Sequence, residues 1–186
     1  MKKWLFNPFI YIAGTRALLI GVSAMLVTAI IAFYTHAHFD GVLDLHFGHI
    51  SSMSTVFLEA LIDWGCMVLV FYIAGLIASG SSIRFIDIAG TMALARWVMV
   101  FPAIIGFGIH VPATTPKTLD EIMSSITPSF IVLSLFGLLF IIWMVALMYN
   151  AFSVSCNLKG SKAALSFIAG VIVAEIISKV IFHFIF

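Results

Sequence analysis

Side chains that commonly bind metal ions are concentrated in one short segment, YTHAHFDGVLDLHFGHIS, which covers residues 34–51. Four of the six histidines of the chain and two of its aspartates lie in this segment: His36, His38, Asp40, Asp44, His46 and His49. Neutral imidazole and carboxylate together suit Zn²⁺, Mn²⁺ or Fe²⁺. The segment therefore predicts a divalent-metal site, with zinc as the first candidate, although its spacing matches no fixed metal-binding signature.

Two acidic residues follow this segment inside an apolar run. Glu59 and Asp63 are four residues apart, so on a helix they share one face. An aspartate at the centre of a membrane costs about 3 kcal/mol to insert, and two carboxylates one turn apart also repel each other. A proton, a Lys or Arg partner, or a bound cation relieves this cost. Because no Lys or Arg is close in sequence, we predict that Glu59 or Asp63 joins the metal ligands; a shared proton at the membrane interface is the alternative.

The path of the chain decides which ligands can cooperate. A tight hairpin turning at Asp40-Gly41 would pair residue 38 with residue 43 and would place His46 on the face opposite to His38. Such a hairpin splits the ligands into two sets, whereas a wrapped loop, or a helix through the second half, would bring them back together. Solvated loop histidines near the lipid headgroups are the competing interpretation of the whole segment.

The surrounding sequence has the composition of a membrane protein. Of its 186 residues, 63% are hydrophobic and 9% charged, against about 25% charged in soluble domains. A hydrocarbon core of about 30 Å needs roughly 20 apolar residues per helix, and only helices satisfy the backbone there. Five segments qualify: about 17–35, 57–79, 89–109, 128–149 and 163–185. The prediction is an all-α, polytopic bundle of five transmembrane helices that forms a single domain over 1–186 in the lipid bilayer.

Composition also excludes some classes of function. The net charge is +1 and no basic patch occurs, so nothing indicates binding to nucleic acid. Cys66 and Cys156 lie far apart in sequence, which supports neither a disulfide framework nor a cysteine-based zinc site.

The distribution of Lys and Arg predicts the orientation. In a five-span zigzag, seven of the nine basic residues, Arg96 included, fall on the side of the N-terminus, and only Lys117 and Lys179 fall on the other. Cytoplasmic loops are the basic ones, so we expect a cytoplasmic N-terminus and an extracytoplasmic C-terminus in the plasma (inner) membrane. All six histidines, with His110 and His183 among them, then lie on the extracytoplasmic side.

Further polar residues lie inside the predicted spans. Glu175 and Lys179 are spaced i, i+4 and could pair within their helix, and Arg96 could reach a phosphate headgroup or a helix-end carbonyl. Small side chains recur every four residues in the fifth span, at Ser166, Gly170, Ala174 and Ser178. Such a stripe allows close helix packing and could also form the seam of a homo-oligomer.

The chain resembles the Yip-domain family, the Ypt/Rab-interacting five-span membrane proteins. The resemblance rests on NPF at 7–9 before the first span, on IDIAGTMALARW at the third, and on WMVALMYNAFSVSCNLKGSKAALSFIAGVIVAEI across the last two. It implies a helical bundle in a bilayer. Eukaryotic members have a long cytosolic N-terminal region, and only about sixteen residues precede the first span here, which favours a prokaryotic type. The resemblance assigns no role to the histidine segment.

The function predicted from sequence is therefore an integral membrane protein that binds a divalent metal at an extracytoplasmic His/carboxylate cluster. Three alternatives stay open: a metal or ion transporter, a metal-dependent membrane hydrolase with an activated water, and a scaffold or trafficking-type protein without metal.

Overall fold

The structure is a computed structural model that describes residues 2–50, 52–109, 118, 123 and 126–185. The described part of the chain consists almost entirely of helices, with one small hairpin between the first two long ones. In chain order the elements are α1 (Lys2–Phe6), α2 (Gly14–Thr35), β1 (Ala37–His38), β2 (His46–Phe47), α3 (Met53–Ala78), α4 (Phe85–Ala95), α5 (Val100–Ile105), α6 (Pro128–Ser155) and α7 (Gly160–Ile185).

Five helical segments are long and apolar enough to cross a membrane among the residues described: Gly14–Thr35, Met53–Ala78, Phe85–Gly108, Pro128–Ser155 and Gly160–Ile185. The predicted all-α bundle of five spans is confirmed, and the protein is a multi-pass membrane protein. Several helices begin earlier than the apolar runs that marked them. Helix α6 begins where Thr127 Oγ1 accepts a hydrogen bond from Phe130 N at 3.1 Å, with Pro128 in the first turn.

The third span occupies the centre of the bundle. In its most apolar stretch 72% of residues are buried, against at most 39% in the other four spans. It is also irregular: a 3₁₀ turn over Arg96–Met99 separates α4 from α5, and a second one follows at Gly106–Gly108. Pro102 lacks an N–H and so removes one helical hydrogen bond in this region, which agrees with the local tightening of the helix.

Two glycines allow α2 to pack very closely against α4. A Cβ on Gly21 would lie 2.3 Å from Leu94 N, and one on Gly90 would lie 2.4 Å from Gly14 O. Both neighbours are backbone atoms, which cannot rotate away. Small residues at such crossings are typical of membrane bundles, in which close backbone packing drives helix association.

The small-residue stripe of the fifth span is used inside the chain. Gly170, Ala174 and Ser178 are all buried, and a Cβ on Gly170 would lie 2.7 Å from a ring atom of Phe71 on α3. The stripe therefore packs α7 against α3, which was the first role predicted for it. Homo-oligomerisation stays a prediction, and of the four residues Ser166 alone is not buried in this packing.

Contacts between helix ends confirm the antiparallel zigzag. At one end Ser79 Oγ, after α3, donates to Cys156 O, after α6, at 2.6 Å. At the opposite end the hairpin and the first turn of α3 meet the last turns of α7, as described below. We call the first the basic end, because it carries Lys3, Arg16, Arg84, Lys159 and Lys162, and the second the histidine end.

Candidate functional site

The predicted ligand segment forms a wrapped loop closed by a two-residue hairpin. His36 ends α2 in the left-handed conformation (φ 56°), and β1 pairs with β2 antiparallel, with His38 opposite His46. Of the alternatives considered for this segment, the structure has the wrapped loop and not the tight hairpin that would pair residue 38 with 43: the connection spans 39–45. As a result His38 and His46 share one face, and their rings stack with centroids 4.8 Å apart.

Apolar side chains pull this connection into the bundle. Phe39 and Val42 are 4% and 1% exposed, and Leu45 and Phe47 contact the helices where Gly137 and Gly106 leave space for them. Burial of the loop hides backbone polar groups from water, and each such group needs a partner. Three charged side chains of the spans supply those partners.

Glu59 holds the first half of the loop. Its Oε1 accepts from His38 Nδ1 at 2.7 Å and its Oε2 accepts from Phe39 N at 3.0 Å. The carboxylate is 2% exposed, so these two bonds replace its hydration. The bond through Nδ1 leaves Nε2 of His38 available for another ligand, an arrangement typical of metal-binding histidines.

Asp63 lies one turn deeper and has a different partner. Arg96 Nη2 donates to Asp63 Oδ2 at 3.0 Å, and Arg96 Nη1 donates to the loop carbonyl of Val42 at 3.4 Å. Both charged side chains are nearly inaccessible, at 0% and 4% exposed. The structure thus places Asp63 with a guanidinium and not with the imidazoles, and it corrects the placement of Arg96 on the cytoplasmic side.

Glu175 and Lys179 bind the loop and not each other. Glu175 Oε2 accepts from Leu43 N at 2.9 Å. Lys179 Nζ lies 3.3 Å from Asp40 Oδ1 and forms a second, shorter ion pair with Asp44 Oδ2. Both charged residues of α7 therefore have their partners in the loop, whereas the sequence suggested that they pair with each other within the helix.

Asp40, Asp44 and His46 form the most compact group of candidate ligands. One ligand atom from each lies within 4.8 Å of the others, and His46 Nδ1 is 3.2 Å from Asp40 Oδ1. The hydrogen bond with His46 lowers the pKa of Asp40 from 3.8 to about 2, helped by the charges of His46 and Lys179 and opposed by partial burial. The same bond raises the pKa of His46 above 6.5.

The candidate ligands surround an open cavity at the histidine end, which we call the histidine cavity. Its volume is about 550 Å³. It is lined by His38, Asp40, His46, His49, Thr55, Glu59, Lys179, Phe182 and His183. Five of the eight predicted ligands therefore line one space, Asp44 contacts it through Lys179, and His183 adds a fourth imidazole.

Two predicted ligands lie elsewhere. Asp63 is buried with Arg96. His36 stacks near His49 with ring centroids 6.0 Å apart, and its buried Nδ1 has no hydrogen-bond partner among the residues described. His110, which the sequence also placed at this end, lies outside the described residues.

Sequence reasoning missed the functions of Arg96, Glu175 and Lys179 in this site. Each is a charged residue inside an apolar span, and such residues almost always face a partner or a cavity. The sequence did contain a signal for this pairing, namely the number of charged residues within the spans. The second span has two acidic residues, the third has Arg96, and the fifth has an acidic and a basic residue. Intramembrane charges spread over three spans predict pairing between helices better than pairing within one.

No protein-family model matches this chain, and no curated protein or solved structure matches it significantly. The resemblance to the Yip-domain family therefore stays a prediction.

Proposed function

We propose that this membrane protein binds a divalent cation, zinc first, in the histidine cavity. The main support for this proposal is the compact group of Asp40, Asp44 and His46, which lies beside the stacked ring of His38. Ligand atoms around a tetrahedral zinc ion are roughly 3.3 Å apart, from bond lengths of about 2.0–2.1 Å. The ligand atoms of Asp40, Asp44 and His46 are now up to 4.8 Å apart. Rotation of these side chains, on a loop that the helices hold in place, would bring them to the shorter spacing.

The chemistry of the donors fits this ion. Imidazole and carboxylate suit zinc, manganese and ferrous iron, whereas a site for calcium or magnesium would be built of oxygen alone. His38 and His46 each place Nδ1 against a carboxylate, at 2.7 Å and 3.2 Å. Such carboxylate partners fix the ring orientation and increase the basicity of the ligating nitrogen. Glu59 then acts by orienting His38, and Asp63 by holding Arg96.

A metal-free scaffold is the second candidate, and one observation favours it. Among the described residues, every acidic side chain near the loop already has a partner within the protein: Asp40, Asp44, Glu59, Asp63 and Glu175. In that case the cluster fastens the loop to the bundle and needs no ion.

Transport receives less support from the described part of the chain. Below Asp63 and Arg96 the packed core is largely apolar, with Met67, Met92 and Met144 fully buried, and the buried hydroxyl of Thr91 is bonded to Asp87 O and Ser155 Oγ. The described core contains no polar route for an ion, so metal binding at the histidine end is a simpler function to assign than metal transport.

Metal content and zinc titration of the detergent-purified protein test the proposal. We expect one zinc per chain, lost in the double variant Asp44→Asn/His46→Gln and retained in His36→Gln, whose ring lies outside the cavity. No zinc in the wild type would favour the scaffold, and zinc retained in the double variant would show that the metal does not bind at Asp44 and His46.

We further propose that the basic end faces the cytoplasm of a prokaryotic-type cell, with the histidine cavity outside. The support is the gathering of Lys3, Arg16, Arg84, Lys159 and Lys162 at one end, since cytoplasmic loops are enriched in Lys and Arg. Reporter fusions after residue 186 and after residue 81 test this: activity of a periplasm-dependent reporter is expected only in the first. The reverse pattern would invert the assignment.

A further inference from the structure

We infer that Lys179 is a tethered counter-ion that occupies the cation position between Asp40 and Asp44, and that an entering divalent metal displaces it. This inference rests on the proposed function and adds to it how the site is regulated. Without metal, the two aspartates bind the ammonium group of Lys179 on helix α7. With metal, they bind the divalent ion instead.

The contacts of Lys179 carry the inference. Its Nζ binds both carboxylates of the compact ligand group, which is also where a metal would bind. The lysine comes from a different element, α7, and reaches the loop beside Gly41. A Cβ on Gly41 would lie 3.0 Å from Lys179 Cε and 2.7 Å from Glu175 Oε1, so glycine leaves the space through which the two side chains reach the loop.

Electrostatics make the two occupants exclusive. An ammonium and a divalent cation a few ångströms apart repel each other, and both would bind the same two carboxylates, Asp40 and Asp44. The other groups around Lys179 are His46 on the loop and Glu175 and His183 on its own helix, one turn away on either side. Glu175 Oε2 already accepts from Leu43 N, and the imidazoles of His46 and His183 carry no negative charge with which to bind an ammonium group as the two aspartates do.

The structure also gives the displaced lysine somewhere to go. Its side chain is already 40% exposed, and the cavity beside it is open. The loop does not depend on this one contact, because Glu59, Glu175 and Arg96 hold its backbone at three other points. Metal entry therefore moves a side chain and leaves the fold in place.

The expected consequence is a zinc affinity lower than the ligands alone would give. In Lys179→Met, which keeps an unbranched stem without the charge, we expect zinc to bind about tenfold more tightly. Lys179→Arg keeps the charge and should bind no more tightly than the wild type. Lys162→Met, an exposed lysine on the same helix at the basic end, is the matched control and should behave as wild type.

Titration of zinc chloride into these four proteins is the test, with thermal melting as a check that each is folded. Tighter binding in Lys179→Met alone supports the inference. Equal or weaker binding there, with wild-type binding intact, overturns the inference and leaves the metal site standing. No zinc binding in any of the four proteins overturns the proposed function, and the inference with it.

A second measurement needs no variant. An amine-reactive reagent applied to the wild-type protein, with modified peptides quantified by mass spectrometry, reports how free Lys179 is. We expect labelling of Lys179 to increase several-fold on addition of zinc, while labelling of Lys162 stays constant. Unchanged or reduced labelling of Lys179 at saturating zinc would contradict displacement.

Discussion

The guanidinium of Arg96 lies 3.0 Å from the carboxylate of Asp63 in the interior of a five-span bundle, and neither side chain is more than 4% exposed. The same guanidinium donates to the carbonyl of Val42 in the loop. One buried ion pair thus connects the second span, the third span and the loop that carries the candidate ligands.

Removing Arg96 should therefore destabilise the protein strongly. Arg96→Met leaves a buried carboxylate without a counter-charge, and loss of one partner of a buried pair typically costs about 3–5 kcal/mol. We expect a large drop in the melting temperature in detergent, partly recovered in Arg96→Met/Asp63→Leu. The control is Arg84→Met, whose exposed pair with Asp87 should matter little. Equal effects of the two arginine variants would contradict this assignment.

The second prediction concerns the partner of His38. In Glu59→Gln the amide can still accept from Phe39 N, but its NH₂ faces His38 and favours the tautomer with the proton on Nε2. That nitrogen is then unavailable to a metal. We expect zinc affinity to fall by about 10–100-fold with a smaller loss of stability than in Glu59→Leu. Zinc titration and thermal melting of both variants measure this, and unchanged affinity in Glu59→Gln would exclude His38 as a ligand.

The metal-free loop should show a defined pH dependence. Because the folded pKa of Asp40 is lowered from 3.8 to about 2, its contribution is present above pH 3.8 and is lost as the pH falls towards 2. Because the pKa of His46 is raised above 6.5, its contribution is present below that pH and is lost as the pH rises through the raised value. The pair therefore stabilises the loop most between about pH 4 and 6.5.

Imidazole NMR signals of metal-free protein check this directly. We expect His46 to titrate above 6.5 in the wild type and closer to 6.5 in Asp40→Asn. A His46 that titrates identically in the two proteins would show that the pair does not form.

The glycine contact between α2 and α4 gives a prediction about the fold. Gly21→Ala places a Cβ 2.3 Å from Leu94 N, and backbone atoms can yield only if the helices separate. Overpacking of this kind costs about 1–3 kcal/mol. Gly65→Ala on α3, where a Cβ meets nothing within 4 Å, is the matched control. The melting temperatures of the two variants should differ clearly, and a neutral Gly21→Ala would contradict the close packing.

Much of the fold could be predicted from the sequence, because apolar length alone identifies a span. The five crossings and the placement of His38, His46, His49 and His183 at one end follow from that rule. The register of the loop could not be predicted, because it depends on Phe39 and Val42 entering the bundle and not on the Asp40-Gly41 dipeptide.

Partner choice among the charged residues was also beyond the sequence. Glu59 and Asp63 are equivalent in a helical projection, yet one binds an imidazole and the other a guanidinium. The difference is set by the height at which Arg96, from another span, meets α3. The pairing of Lys179 with the loop likewise depends on α7 ending beside the hairpin, and helical spacing alone carries no information about that.

Zinc K-edge X-ray absorption on purified protein with one equivalent of zinc reports directly whether the histidine cavity binds the metal. We expect a first shell of nitrogen and oxygen at about 2.0–2.1 Å, without sulfur, and outer-shell scattering from imidazole. The imidazole scattering should be lost in Asp44→Asn/His46→Gln. A spectrum of hydrated zinc in the wild type, or an imidazole signature that persists in the double variant, would contradict this expectation.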